Sequence, residues 1–202
     1  MEKYKENLLV QAVLSRICIP LEASARHVHV TEAQAQILFG HGLTPQRPLS
    51  QPGQYLAKER VILQGPKGKL CHVAVLGPPR REAQVEISLT DGKTLGITPP
   101  IRPSGDVAHS PGAVLVGECG SVTLEQGVIA AQRHLHLTPQ TAAKFHLQDK
   151  QLVQLQTFTH RPLVFGEVLV RVSPDYADSV HLDLDEANAC ALEMGDWGRI
   201  LP

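Results

Sequence analysis

Aromatic side chains make up 4% of the 202-residue chain, with a single tryptophan. That scarcity argues against a surface built to stack nucleobases. Charge of one sign is missing too: 19 Lys and Arg stand against 20 Asp and Glu, a formal net charge of -1. The chain therefore carries no electrostatic footprint for nucleic acid or an anionic membrane. The four cysteines, Cys18, Cys71, Cys119 and Cys190, lie far apart and include no Cys-x-x-Cys. This spacing disfavours a disulfide framework and fits a reducing compartment. The longest apolar run, Leu8 to Leu14, is interrupted by Gln11. It is too short to span a bilayer and lacks the flanks of a secretory signal. Gly-x-Ser-x-Gly, Gly-x-Gly-x-x-Gly, a Walker sequence and a Cys/His pair at nucleophile-like spacing are all missing. A covalent acyl-enzyme is not expected from such a chain.

What is present is an ordinary globular composition, 43% hydrophobic and 19% charged, enough for one domain or two small ones. Fifteen prolines and 16 glycines cut the chain into short elements, which favours β structure with many turns.

One pattern occurs twice. Ala25-Arg26-His27-Val28-His29 is echoed by Gln132-Arg133-His134-Leu135-His136, and each continues into an apolar residue and a threonine. Alternation of His with apolar residues predicts a strand, on which residues two apart share a face. His27 and His29 then point one way, as do His134 and His136. Two imidazoles so placed can share a divalent ion at about 2.0–2.1 Å from each nitrogen. Arg26 and Arg133 are one residue out of phase, so a structural role is expected for them.

Along the chain, residues 3–17 show a helical stripe of Leu9, Ala12, Val13 and Ile17. It fits a helix capping the fold or an amphipathic tag for a partner. Thr31 is a good N-cap for a helix over 32–38. Residues 39–58, rich in Gly, Pro and Gln, read as a loop. Val61-Ile62-Leu63, Val73-Ala74-Val75-Leu76 and Gln84 to Ser88 read as strands, with Gly65-Pro66-Lys67-Gly68 a tight turn. Thr90-Asp91 starts a short helix, 99–112 is irregular, and 114–116 and 121–124 are strands.

A second alignment supplies a third ligand to each His pair. Val73-Ala74-Val75 set beside Val168-Leu169-Val170, a shift of 95, places Glu86 opposite His181 without a gap. The His pairs are shifted by 107, so the first copy carries an insertion, assigned to 39–58. The candidate ligand sets are His27, His29 and Glu86 in one copy, and His134, His136 and His181 in the other. Imidazole and carboxylate suit zinc, iron, cobalt or manganese, with zinc favoured for a three-ligand site with an open position. His41, His72, His109, His146 and His160 have no repeated partner and read as ordinary polar residues.

Open metal sites polarise carbonyls and hold anions, and an arginine such as Arg80, in the turn before the Glu86 strand, adds a fork for phosphate. The residues alone point to a metal-dependent transferase or hydrolase acting on an anionic substrate. The rival is a non-catalytic binding module with structural metals.

The sequence resembles the PduL-type phosphotransacylases, or phosphate propanoyltransferases. The resemblance runs from about Ile19 to the C-terminus. It rests on Ser24-Ala25-Arg26-His27-Val28-His29, Leu49-Ser50-Gln51-Pro52-Gly53-Gln54, Gly65-Pro66-Lys67-Gly68, Leu76-Gly77-Pro78, Gln84-Val85-Glu86-Ile87-Ser88, Arg133-His134-Leu135-His136 and His181 to Asn188. It implies a mainly β fold of two β-barrel domains capped by short α-helices and related by the internal repeat. Residues 26–131 would form the central barrel, and 18–25 with 132–202 the second. Residues 1–17 would be an N-terminal amphipathic helix, a possible encapsulation tag. The implied activity moves a propanoyl or acetyl group between coenzyme A and inorganic phosphate. Two zincs per chain would sit on the two ligand sets, with Arg80 at phosphate and catalytic, and Ser24, Lys67 and Asn188 at coenzyme A. An arginine frequent in the family at the coenzyme A site is Ala74 here. The resemblance further implies a dimer in the bacterial cytoplasm, inside a microcompartment whose shell or core proteins residues 3–17 would contact.

Overall fold

The computed structural model describes residues 17–201. The tag expected at the N-terminus therefore falls, but for Ile17, outside the described residues. The fold is mainly β, 42% strand against 15% helix. The strands in chain order are β1 (Ile19–Ala23), β2 (His27–His29), β3 (Pro45–Pro48), β4 (Tyr55–Gln64), β5 (Lys69–Gly77), β6 (Gln84–Glu86), β7 (Ile101–Arg102) and β8 (Ala113–Val116). They continue with β9 (Ser121–Leu124), β10 (Val128–Ala131), β11 (His134–Leu137), β12 (Leu152–Phe158), β13 (Val164–Val172), β14 (Ser179–Leu182) and β15 (Trp197–Leu201). Short helices span Glu32–Phe39, Leu89–Leu95, Pro139–Lys144 and Leu184–Ala189.

Two compact units divide the chain. Among the described residues, one takes those through Ser24 with Arg133–Leu182 and those from Glu186 onward; the other takes Ala25–Gln132 with Asp183–Asp185. The first unit is a closed six-stranded barrel in the order β1-β14-β11-β13-β12-β15. Alternation along its strands turns Leu21, Leu135, Leu137, Leu155, Val168, Val170, Val180 and Leu182 inward, all nearly or fully buried. Each such side chain contributes about 1.5–3 kcal/mol by leaving water. The second unit is a nine-stranded sheet curled into a half-barrel, in the order β7-β10-β6-β2-β5-β4-β8-β9 with β3 on β4. Its core joins Val28, Val30, Leu38, Val61, Leu63, Val75, Val85, Leu95 and Leu115.

The internal repeat governs the pairing. β2 lies antiparallel to β6 and parallel to β5. β11 lies in the same way antiparallel to β14 and parallel to β13. The strand ahead of each His pair is different: β1 joins the barrel beside β14, and β10 joins the sheet beside β6. Each copy's leading strand thus completes the sheet of the other copy.

Helix ends follow local chemistry. Thr31 caps Glu32–Phe39 in a reciprocal box with Gln34, and Gly40 at φ 76° ends it. The short helix expected from Thr90-Asp91 begins at Leu89, because the Ser88 side chain accepts from the Asp91 N–H and so stops the strand. Residues 39–58, expected as a loop, contain β3 and the start of β4. Pro45 and Pro48 are tolerated because β3 sits at a sheet margin, where a missing N–H leaves no partner unsatisfied.

Candidate metal centres

In the sheet unit, β2 carries His27 and His29 and β6 carries Glu86, with His27 and Glu86 direct cross-strand partners. The three are buried, at 7%, 2% and 7% exposure. Their ligand atoms lie within 4.8 Å of one another. His27 Nδ1 donates to the Ala25 carbonyl at 2.8 Å, which leaves Nε2 with its lone pair, 3.6 Å from Glu86 Oε2. Glu86 is held from behind: Gln84 Nε2 donates to its Oε1 at 2.5 Å and to Ser104 Oγ at 2.9 Å. Gln84 in turn accepts from the Gly105 N–H at 2.7 Å. His29 Nδ1 is buried without a hydrogen-bond partner. Burial, then the charges of His27 and Arg80, push the His29 pKa down to about 2, against a hydrogen bond from the ring to the Leu76 backbone carbonyl. The ring is therefore neutral near pH 7, the form a metal takes.

In the barrel unit, His134 and His136 on β11 meet His181 on β14, with His134 and His181 direct partners. The ring centroids are 4.7, 5.1 and 4.9 Å apart, and the Nε2 atoms of His134 and His136 are 3.0 Å apart. Again the ligand atoms fall within 4.8 Å of one another. Burial, then His134, His181 and Arg171, push His136 down to about 2. His136 Nδ1 and His181 Nε2 are buried without hydrogen bonds.

These observations fit metal ions. Ligands at about 2.0–2.1 Å around a tetrahedral ion lie about 3.3 Å from one another. The separations of 3.0 and 3.6 Å bracket that value. A set of two imidazoles and a carboxylate, or of three imidazoles, leaves a fourth position open for substrate.

The remaining candidates lie as follows. Arg80 is half-buried just beyond β5, its N–H donates to the Val30 carbonyl at 2.9 Å, and its charge reaches His29. Lys67 is exposed in the β4–β5 turn, its N–H bonded to the Leu95 carbonyl and its stem over Gly96. Ser24 is half-buried after β1, its N–H donating to Leu182 at 2.7 Å, and Asn188 is exposed on the helix Leu184–Ala189. Lys67 and Arg80 belong to the sheet unit, Ser24 and Asn188 to the barrel unit. Ala74 is the Cα partner of His27 on β5. The other five histidines are exposed and outside both groups.

Four neighbours of the centres escaped the sequence reading. Gln84 sits two residues before Glu86, on its face of the strand, and that period was the available signal. Tyr176 places its ring 4.3 Å from His136, and Arg171 lies 5.7 Å over Tyr176. Glu22 lies 3.3 Å from His181. Nothing in the local pattern marks these three.

Comparison with known proteins places the chain. The family model described as phosphate propanoyltransferase matches residues 20–193. A phosphate propanoyltransferase of Listeria monocytogenes is 48% identical over 185 residues, 91% of this chain and 87% of the relative. Those of Clostridioides difficile and Thermotoga maritima are 46% and 48% identical. They cover 97% and 86% of this chain, and 98% and 84% of their own lengths. With nearly the whole chain matched at this identity, it belongs to the phosphate propanoyltransferase family and is an acyltransferase.

Proposed function

We propose that the chain moves a short acyl group, propanoyl or acetyl, between coenzyme A and inorganic phosphate, with two zinc ions per chain. His27, His29 and Glu86 would hold one ion, and His134, His136 and His181 the other. The observation that carries this reading is the pair of equivalent three-donor groups in a chain matched to phosphate propanoyltransferases over residues 20–193. Three imidazoles, or two imidazoles with a carboxylate, are the donor sets of zinc sites with an open position.

Bound zinc supplies Lewis acidity for a thioester carbonyl and stabilises a departing thiolate. The side chains do the rest. Arg80 offers phosphate a planar, permanently charged fork. It orients a phosphate oxygen toward the thioester carbon and offsets the charge that develops on the carbonyl oxygen. A carbon–oxygen bond forms, the carbon–sulfur bond breaks, and the thiolate takes a proton from solvent. The Ala25 carbonyl keeps the His27 proton on Nδ1, and Gln84 keeps Glu86 facing His27. Ser24, Lys67 and Asn188 are assigned to coenzyme A. The lack of a nucleophile motif supports direct transfer.

In this reading 26–131 and 18–25 with 132–202 are the two barrel domains, the enzyme is a dimer, and residues 3–17 address it to a bacterial microcompartment. Among the described residues no helix is long and apolar enough to cross a membrane. The test is elemental analysis alongside coenzyme A release from propanoyl- or acetyl-coenzyme A. Two zincs per chain and chelator-sensitive release that requires phosphate are expected. Release without phosphate would make the enzyme a hydrolase. Metal with no release would leave a structural-metal binding module.

A further inference from the structure

The two metal groups stand on equivalent strands, yet one position beside them differs. β1 runs parallel to β14 with Glu22 opposite His181. β10 runs parallel to β6 with Ile129 opposite Glu86. Glu22 and Ile129 are counterparts in the repeat: each lies five residues before the first His of its copy. The repeat thus places a carboxylate beside the third ligand of one centre and a fully buried alkyl chain beside that of the other.

Glu22 Oε2 is 3.3 Å from His181 Nε2, within ion-pair range though off the hydrogen-bond line. A small rotation of the imidazole brings its N–H onto the carboxylate. The Glu22 side chain is 36% exposed, so it reaches the site without burying a charge outright. It stands outside the compact three-imidazole group.

We propose that Glu22 is a positioning residue of the barrel centre: its carboxylate takes the His181 Nε2 proton as a hydrogen bond and turns Nδ1 toward the ion shared with His134 and His136. A carboxylate behind a ligating imidazole fixes its tautomer and raises its basicity, and losing one costs about 10–100-fold in metal affinity. The two centres are therefore chemically unequal. In the sheet centre the third ligand is itself the carboxylate, and Ile129 offers it nothing polar. The inference rests on the metal reading above.

The experiment is zinc titration of the full-length, chelator-stripped protein against a chromophoric competitor. Wild type is expected to show two sites, and Glu22→Ala to weaken one of them by about 10–100-fold while leaving the other unchanged. In the His29→Ala background, which retains only the barrel centre, the Glu22→Ala loss should persist. Glu22→Gln should fall between wild type and Glu22→Ala, and the melting temperature of the stripped protein should not move. Unchanged affinities in Glu22→Ala would overturn the proposal, as would equal weakening of both sites. A change in the visible band positions of the cobalt-loaded Glu22→Ala protein would make Glu22 a direct ligand and also overturn the positioning role. A wild type that binds no zinc would instead remove the metal reading itself.

Discussion

Arg26 closes on Asp91 through two contacts, Nη2 to Oδ1 at 2.9 Å and Nε to Oδ2 at 3.0 Å. Asp91 also accepts from the Ser88 N–H at 3.3 Å, so one buried carboxylate ties the first His strand to the start of the helix Leu89–Leu95. The second copy repeats the device. Arg133 Nη1 meets Glu186 Oε1 at 2.6 Å, and its Nε donates to the Gly166 carbonyl at 2.6 Å. Each arginine is thus spent on anchoring the strand whose next residue is the first histidine of a candidate metal group. Asp91→Ala should cost about 2 kcal/mol, since it removes the charge-assisted bonds from Arg26 and the Ser88 N–H together. Arg26→Ala should cost nearer 1 kcal/mol, because Asp91 keeps Ser88 and the guanidinium is partly solvated. Urea unfolding of the two variants checks the order.

Metal content should fall by whole sites. His29→Ala removes a donor from the sheet centre and is expected to leave one zinc per chain, by elemental analysis. Stripping both ions should lower the melting temperature, because a ligand that binds only the folded chain stabilises it by mass action. An unchanged melting temperature after verified removal would contradict the fit of ions to these two ligand groups.

Arg80→Ala should raise the phosphate KM by about tenfold or more and lower kcat, as expected for loss of a bidentate anion contact. Arg80→Lys should recover only part, since an ammonium cannot reproduce the fork. Steady-state kinetics with phosphate as the varied substrate separates the two effects. A normal KM and kcat in Arg80→Ala would remove the residue from the site.

Glu59 predicts an acid limb in stability. Burial raises its pKa, but hydrogen bonds from Thr44 and from the Glu59 backbone, with the charge of His41, together outweigh burial, and the carboxyl titrates below its ordinary 4.5. The Thr44 N–H reaches both carboxylate oxygens, at 3.2 and 3.0 Å. A folded-state pKa below the unfolded one gives stability that is full above the unfolded value. That stability is lost as pH falls through the folded pKa. Glu59→Gln should therefore flatten the decline in stability on the acid side of the carboxylate range, read by urea unfolding across pH.

The alternation at His27-Val28-His29 and His134-Leu135-His136 made both strands legible, because side-chain direction in a strand has a period of two that any stretch of sequence displays. The shift of 95 set Glu86 against His181, and in the structure each pairs directly with the first His of its copy. Thr31 marked its helix because capping is a local hydrogen bond. Residues 45–48 did not read as a strand, since their pairing with β4 is what makes them one.

By itself, then, the sequence determined the mainly β class, the doubled His strands and the donors grouped with them. Each of these depends on neighbours a few residues apart or on self-similarity along the chain. Only the tertiary structure decided that β1 completes the barrel and β10 the sheet, which sets Glu22 beside His181 and Ile129 beside Glu86. It alone also decided that Tyr176 lies against His136. Parallel pairing of strands distant in sequence follows from how the strands of each unit together bury their apolar faces, and no window of residues carries that information.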